Sequence, residues 1–168
     1  IQHLSRIESG QVKLDFQQVD VGQLVQRVAA QLAFQAQSKQ IDLQVAPLNR
    51  FVAALADADR AAQILINLVG NAIRYTPEGG HVWLAVQENG RFVEISVKDD
   101  GIGLSPEAMP YIFERFYRVD QSRSRTGGGS GIGLTISRHL VWAMGGELTA
   151  VSDGLGQGSC FTFTLPLA

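Results

Sequence analysis

Residues 81–99 constrain the fold more than any other stretch. The run "HVWLAV" is followed by the turn signal "ENG" and then by "RFVEISVKD", so one strand goes out and its antiparallel neighbour returns. Val93, Ile95 and Val97 fall on one face at the two-residue period, and that apolar face demands a covering layer. Continuing the period puts Asp99 on the same side, where a carboxylate needs a donor. Two uses of it fit. Asp99 closes a strand end as a turn aspartate, with glycines supplying positive φ. Alternatively it receives the exocyclic amine of adenine, with Gly101 and Gly103 letting the base approach the backbone.

The covering layer is legible on both sides of the hairpin. Asp20 with Gln23 resembles a capping box ahead of a helix that buries Leu24, Val25, Val28 and Leu32. Asp57 or Asp59 caps a second helix, whose apolar arc takes Ala61, Ile64, Leu65, Leu68 and Ala72 before Pro77 stops it. A short helical piece is expected around "YIFERFYR", and a third long helix from about Gly131 to Met144, ended by Gly145 and Gly146. Alternation predicts further strands at Val12, Leu14 and Phe16, at Ile41, Leu43 and Val45, and in "ELTAVS" and "SCFTFTLPL". Helices grouped with mostly antiparallel strands predict an α+β two-layer sandwich.

With 168 residues, 45% of them hydrophobic, the chain suits one domain with a short appendage. A net charge of −2 and no long basic run argue against a dedicated nucleic-acid binder. The lone Cys160 has no partner for an internal disulfide and suits a reducing compartment. No signal peptide or apolar run of transmembrane length is visible, and "IQHLSRIESG" reads as the tail of a helix. The expectation is a soluble piece of something longer.

Several constellations bear on chemistry. Asn67, Asn71 and Arg74 form one helical stripe beside the apolar arc. Such groups satisfy themselves on neighbouring backbone and water, or they hold a phosphate with its hard metal ion. "YIFERFYRV" packs aromatics around Arg115 and Arg118; it is a core or docking segment, or the arginines clamp a terminal phosphate. "RTGGGSGIGLTIS" runs into a helix whose first free N–H groups favour an anion. It is not a Walker loop, since Gly133 is followed by Leu134 and Thr135, and no register supplies the dinucleotide glycine spacing. His3, His81 and His139 have no metal-ligand spacing, and no nucleophile triad is legible.

Taken in order, "NLVGNAIRYTPEGG", "DDGIGL", "IFERFYRVD" and "GGGSGIGLTIS" resemble the N, G1, F and G2 boxes of the ATP-binding domain of sensor histidine kinases. "GQGSCFTFTLPL" is similar to that family's last glycine turn and strand, and "LSRIESGQVKL" to the end of its dimerisation and phosphoacceptor domain. The resemblance implies a Bergerat-type fold: a mixed, mostly antiparallel sheet with helices on one face and a flexible ATP lid. It implies residues 1–11 as the end of a dimerisation helix and 12–168 as the catalytic domain.

It also implies ATP and Mg2+, with Asn71 ligating the metal, Asn67 lining the same side, and Arg74 and Tyr75 beside the nucleotide. Asp99 would bond the adenine amine next to Gly101 and Gly103. Arg118, with Arg115, would reach the terminal phosphate, and Gly129, Ser130, Gly131, Ile132, Gly133 and Leu134 would form the phosphate loop. Implied partners are the chain's own phosphoacceptor domain, in a homodimeric parent, and a response-regulator receiver domain; the implied place is the cytoplasmic portion of a membrane-anchored sensor.

Relatives that hydrolyse ATP or phosphorylate serine carry Glu where this chain has Asn67, so the site is expected to hold ATP for transfer. The rivals are such an ATPase or serine kinase, and a nucleotide-sensing module without transfer. Arg74 stands where Lys is usual, which keeps charge and alters geometry. No stretch matches the phosphoacceptor box, so autophosphorylation requires a further domain.

Overall fold

The computed structural model describes residues 13–114 and 132–168. In chain order these form β1 (Gln17–Asp20), α1 (Val21–Ser38), β2 (Asp42–Val45), β3 (Ala53–Ala56), α2 (Ala58–Tyr75), β4 (His81–Asn89), β5 (Phe92–Asp99), a 3-10 turn (Met109–Tyr111), α3 (Ile132–Ala143), β6 (Leu148–Val151) and β7 (Ser159–Pro166). A five-stranded sheet runs β2-β4-β5-β7-β6, parallel only between β2 and β4, and β1 with β3 makes a small antiparallel pair. This is the α+β sandwich with a mixed, mostly antiparallel sheet.

The expected strand at residues 12–16 is corrected by the structure. Residue 12 lies outside the described residues, 13–16 are irregular, and the strand is Gln17–Asp20. Its pairing with Ala53–Ala56 decides the position, and only Val19 of the four is buried. β3 itself is absent from the expectations because "AALA" has neither β-branched nor aromatic residues; Ala54 and Ala56 are wholly buried there by tertiary packing.

One apolar core joins the layers. Val82, Leu84, Val93, Ile95, Val97, Phe163 and Leu165 supply the sheet side; Leu24, Val28, Ile64, Leu65, Leu68, Leu140 and Val141 supply the helix side. Burial on this scale, roughly 25 cal/mol per Å² of apolar surface, provides the main driving force for the sandwich. The opposite face of the sheet is open: His81 stacks on Trp83, Lys98 lies over the same indole, and half-buried Cys160 is the cross-strand neighbour of Lys98.

Both caps of α2 fix the helix that carries the polar stripe. Asp57, not Asp59, is the N-cap: its Oδ1 accepts from Arg60 N at 3.1 Å, and its Oδ2 accepts from Asp15 N at 2.9 Å. At the other end Lys39 Nζ donates to the carbonyls of Ile73 and Arg74 at 3.0 and 2.7 Å. A cation there satisfies orphan carbonyls and suits the negative end of the helix dipole.

Candidate nucleotide site

The last turns of α2, the end of β5, the loop after it and the start of β7 surround one cleft. Asn71, Ala72 and Tyr75 line one side, Ile102, Gly103 and Leu104 another, and Ile112, Leu134 and Phe161 close it with apolar surface. Asp99 and Ser159, paired in register across β5 and β7, are the polar groups at its depth.

Asp99 is 5% exposed, as its place in the alternation requires. Its Oδ1 accepts from Gly101 N at 2.9 Å and Ser159 N at 3.3 Å, and its Oδ2 accepts from Ser159 Oγ at 2.9 Å. Burial pushes its pKa up, the nearby Asp100 carboxylate pushes the same way, and these three donors only partly offset them. The carboxylate therefore sits in an apolar cleft with one of its roughly four acceptor sites still to satisfy. Asp100 behaves oppositely. Burial would raise it, but the backbone N–H and imidazole of His81, at 2.7 and 2.8 Å, outweigh that and hold it below the ordinary range.

Of the glycines beside Asp99, Gly103 has the expected positive φ, and both have a packing reason as well. A Cβ on Gly103, at φ +72°, would overlap the carbonyl of Gly154, and one on Gly101 would overlap the carbonyl of Tyr75. They let two loops and a helix end close on one another. Gly103 nevertheless lines the cleft as well.

The structure brings together Asn71, Tyr75, Asp99, Gly103 and Leu134 of the expected residues. Asn67, Arg74, Gly101 and Gly133 stand outside the cleft lining. Asn67 Nδ2 donates to the buried Ser137 Oγ at 3.1 Å, tying α2 to α3, and Gly133 lies beside it. Arg74 Nη1 donates to Asn71 Oδ1 at 2.8 Å, and its guanidinium lies 5.8 Å from the Tyr75 ring. Arg115, Arg118, Gly129, Ser130 and Gly131, and the side chain of Ile132, lie outside the described residues. Sequence reasoning missed Ala72, Ile102, Leu104, Ile112, Ser159 and Phe161. The apolar ones lie within the quoted motifs but carry no chemical mark of their own, and Ser159 reaches Asp99 only through the β5–β7 pairing, across 60 residues of sequence.

Residues 56–168 match the family described as histidine kinase-, DNA gyrase B-, and HSP90-like ATPase. The chain belongs to that family. Within this ATPase family its similarity to sensor histidine kinases is pronounced. It is 46% identical over 112 residues to the sensor histidine kinase WalK of Bacillus subtilis, covering 66% of this chain and 18% of that protein. It is 36% identical over 164 residues to the sensor histidine kinase RppB of Synechocystis, covering 98% of this chain and 36% of that protein. The chain thus spans about a third or less of these relatives. The crystal structure of full-length ShkA in complex with AMPPNP superposes with a TM-score of 0.83 at 37% identity, covering 99% of this chain and 34% of that one. The fold of this histidine kinase-type ATPase domain is therefore the Bergerat sandwich.

Proposed function

We propose that the chain is the catalytic, ATP-binding domain of a sensor histidine kinase. It holds Mg-ATP and passes the γ-phosphate to a histidine on a dimerisation and phosphoacceptor domain, for relay to an aspartate of a response-regulator receiver domain. The observation that carries this reading is Asp99, buried and only partly satisfied at the depth of a cleft with apolar walls. Ile102, Leu104, Ile112, Leu134 and Phe161 suit a flat aromatic base. The carboxylate accepts from the exocyclic amine of adenine, whereas guanine would present a carbonyl there and leave two acceptors facing each other. The complex of ShkA with AMPPNP, an ATP analogue, supports the same reading.

The residues present fit a magnesium nucleotide. Among the described residues no group of three or more His, Cys, Asp or Glu could hold a metal ion by itself. The side-chain oxygen of Asn71 at the cleft is a hard donor, and magnesium is commonly held by one or two protein oxygens together with phosphates. When bound it neutralises charge on the phosphate oxygens. Arg74 already donates to that Asn71 oxygen, so guanidinium and metal compete for it. In this reading Asn67 supplies no base and braces α3 through Ser137, while Arg115 and Arg118 act on the terminal phosphate. Transfer relies on positioning and charge, which requires no carboxylate at Asn67.

The same proposal takes residues 1–11 as the end of a dimerisation helix, residues 129–134 as the phosphate loop, and the parent as a homodimeric, membrane-anchored sensor with this part in the cytoplasm. Among the described residues no helix is long and apolar enough to cross a membrane. The test supplies a phosphoacceptor domain and labelled ATP. Acid-labile phosphohistidine is expected; ATP binding or hydrolysis without it would sink the kinase reading.

A further inference from the structure

The segment 101–104, whose Ile102, Gly103 and Leu104 wall the cleft, is not self-supporting. Gly158 N donates to the Gly101 carbonyl at 3.1 Å, and Gly156 N to the Ile102 carbonyl at 2.7 Å. Gly103 packs so closely on the Gly154 carbonyl that a Cβ would overlap it. Leu104 N completes the set, donating to Ser152 Oγ at 2.9 Å. Each of the four residues thus leans on the turn between β6 and β7.

Ser152 contributes a side chain to this otherwise backbone-to-backbone seam. Besides accepting from Leu104 N, its hydroxyl donates to the Gly158 carbonyl at 2.6 Å and accepts from Gly154 N at 3.3 Å. One donor and two acceptor sites are all a hydroxyl has, and all are engaged. The hydroxyl closes the turn on itself and fastens it to the wall. The next residue after Gly158 is Ser159, which grips Asp99 from the other side. Losing the Ser152 hydroxyl leaves the Leu104 N–H and the Gly158 carbonyl without these partners, at both ends of the seam.

We propose that Ser152 is a positioning residue for base selection. By fixing the Gly101–Leu104 wall at a set distance from Asp99, it prevents a purine from sliding away from the carboxylate. Discrimination between adenine and guanine then depends on a hydroxyl that does not line the cleft. The inference rests on the nucleotide reading above, in which Asp99 meets the exocyclic amine.

The test measures ATP and GTP affinity by competition against a fluorescent nucleotide, on the whole chain, for wild type, Ser152→Ala, Ser152→Cys and Ser152→Thr. Removing an interaction with partners on both sides leads us to expect an ATP Kd raised about tenfold in Ser152→Ala, with the GTP Kd within about twofold. Ser152→Cys, close in volume with weak hydrogen bonding, should show the same narrowed ATP preference and serves if the alanine variant does not fold. Ser152→Thr keeps the hydroxyl and should restore the wild-type ratio. Equal weakening of both nucleotides, an unchanged ratio in the alanine and cysteine variants, or a threonine variant that behaves like alanine overturns the inference. Wild-type protein with no preference for ATP overturns the nucleotide reading and this inference together. Wild-type preference combined with an unmoved ratio overturns this inference alone.

Discussion

The two ends of the cleft are built on different rules. At the base end, Asp99 has three internal donors, and the loop beside it is clamped between the α2 terminus and the Ser152–Gly158 turn. Its glycines are dictated by overlaps with neighbouring carbonyls. At the phosphate end, Asn71 and Arg74 bond to one another, and among the described residues a Cβ on Gly133 would meet Asn67 alone, at ordinary contact distance. Under the proposed function, recognition of the base is preorganised, while the groups proposed for phosphate and metal exchange partners when the nucleotide arrives.

The comparison is broken most forcefully at Gly103. Gly103→Ala adds a Cβ at a positive φ against the Gly154 carbonyl, so we expect a loss of about 3 kcal/mol or more of stability and no measurable ATP binding. A denaturation midpoint equal to wild type would show that the seam yields. Next, Asp99→Ala should weaken ATP by roughly 10- to 100-fold, the scale of a hydrogen bond to a charged group, while GTP changes little. Equal loss for every triphosphate would remove Asp99 from the base. Asn71→Ala should abolish the magnesium-dependent part of ATP affinity, about tenfold, and phosphotransfer with it; affinity that still responds fully to magnesium would assign the metal elsewhere.

The acid limb of the pH profile gives a smaller effect with a definite sign. Burial raises Asp99, so it protonates at a higher pH than an ordinary aspartate, and ATP affinity should begin to fall above the usual carboxylate range. Stability responds the other way. A carboxyl raised on folding contributes stability that is full below its unfolded pKa and is lost as pH rises through the folded one. Asp100 and Glu147, both held below the ordinary range, contribute stability that is lost as pH falls through their folded values. Comparing wild type with Asp99→Asn by pH-dependent melting isolates the first contribution; a difference that grows towards acid in favour of the variant would contradict it. The smallest effect is at Gly133. Among the described residues Ala there meets nothing closer than 3.8 Å, and it sits in the first turn of α3, so stability should rise by up to about 1 kcal/mol. If the phosphates approach that backbone, ATP affinity drops at the same time.

Much of this arrangement is visible in the sequence because its signals are local. The hairpin around "ENG" needs two alternating runs and a turn, and all lie within nineteen consecutive residues, His81 to Asp99. The Asp20 cap before Gln23, the Asp57 cap before Arg60 and the burial of Asp99 follow from spacings of two or three. What escapes is held by distance. β3 is made strand by pairing with β1 and has no propensity of its own. Ser152 and Ser159 become functional candidates only when β6 and β7 return beside β5, and nothing in "VSDGLGQGSC" distinguishes them from turn serines. Asn67 adds a contact that spacing does not reveal: its Nδ2 donates to Ser137 on α3.

Cys160 offers a practical dividend. It is the chain's single cysteine, half-buried on the open sheet face, between Ser159, which grips Asp99, and Phe161, which walls the cleft. Successive strand residues point to opposite faces, so a thiol-directed dye at Cys160 sits behind the cleft without entering it. The chain therefore comes with its own attachment point for an optical readout of cleft occupancy, one strand's thickness away.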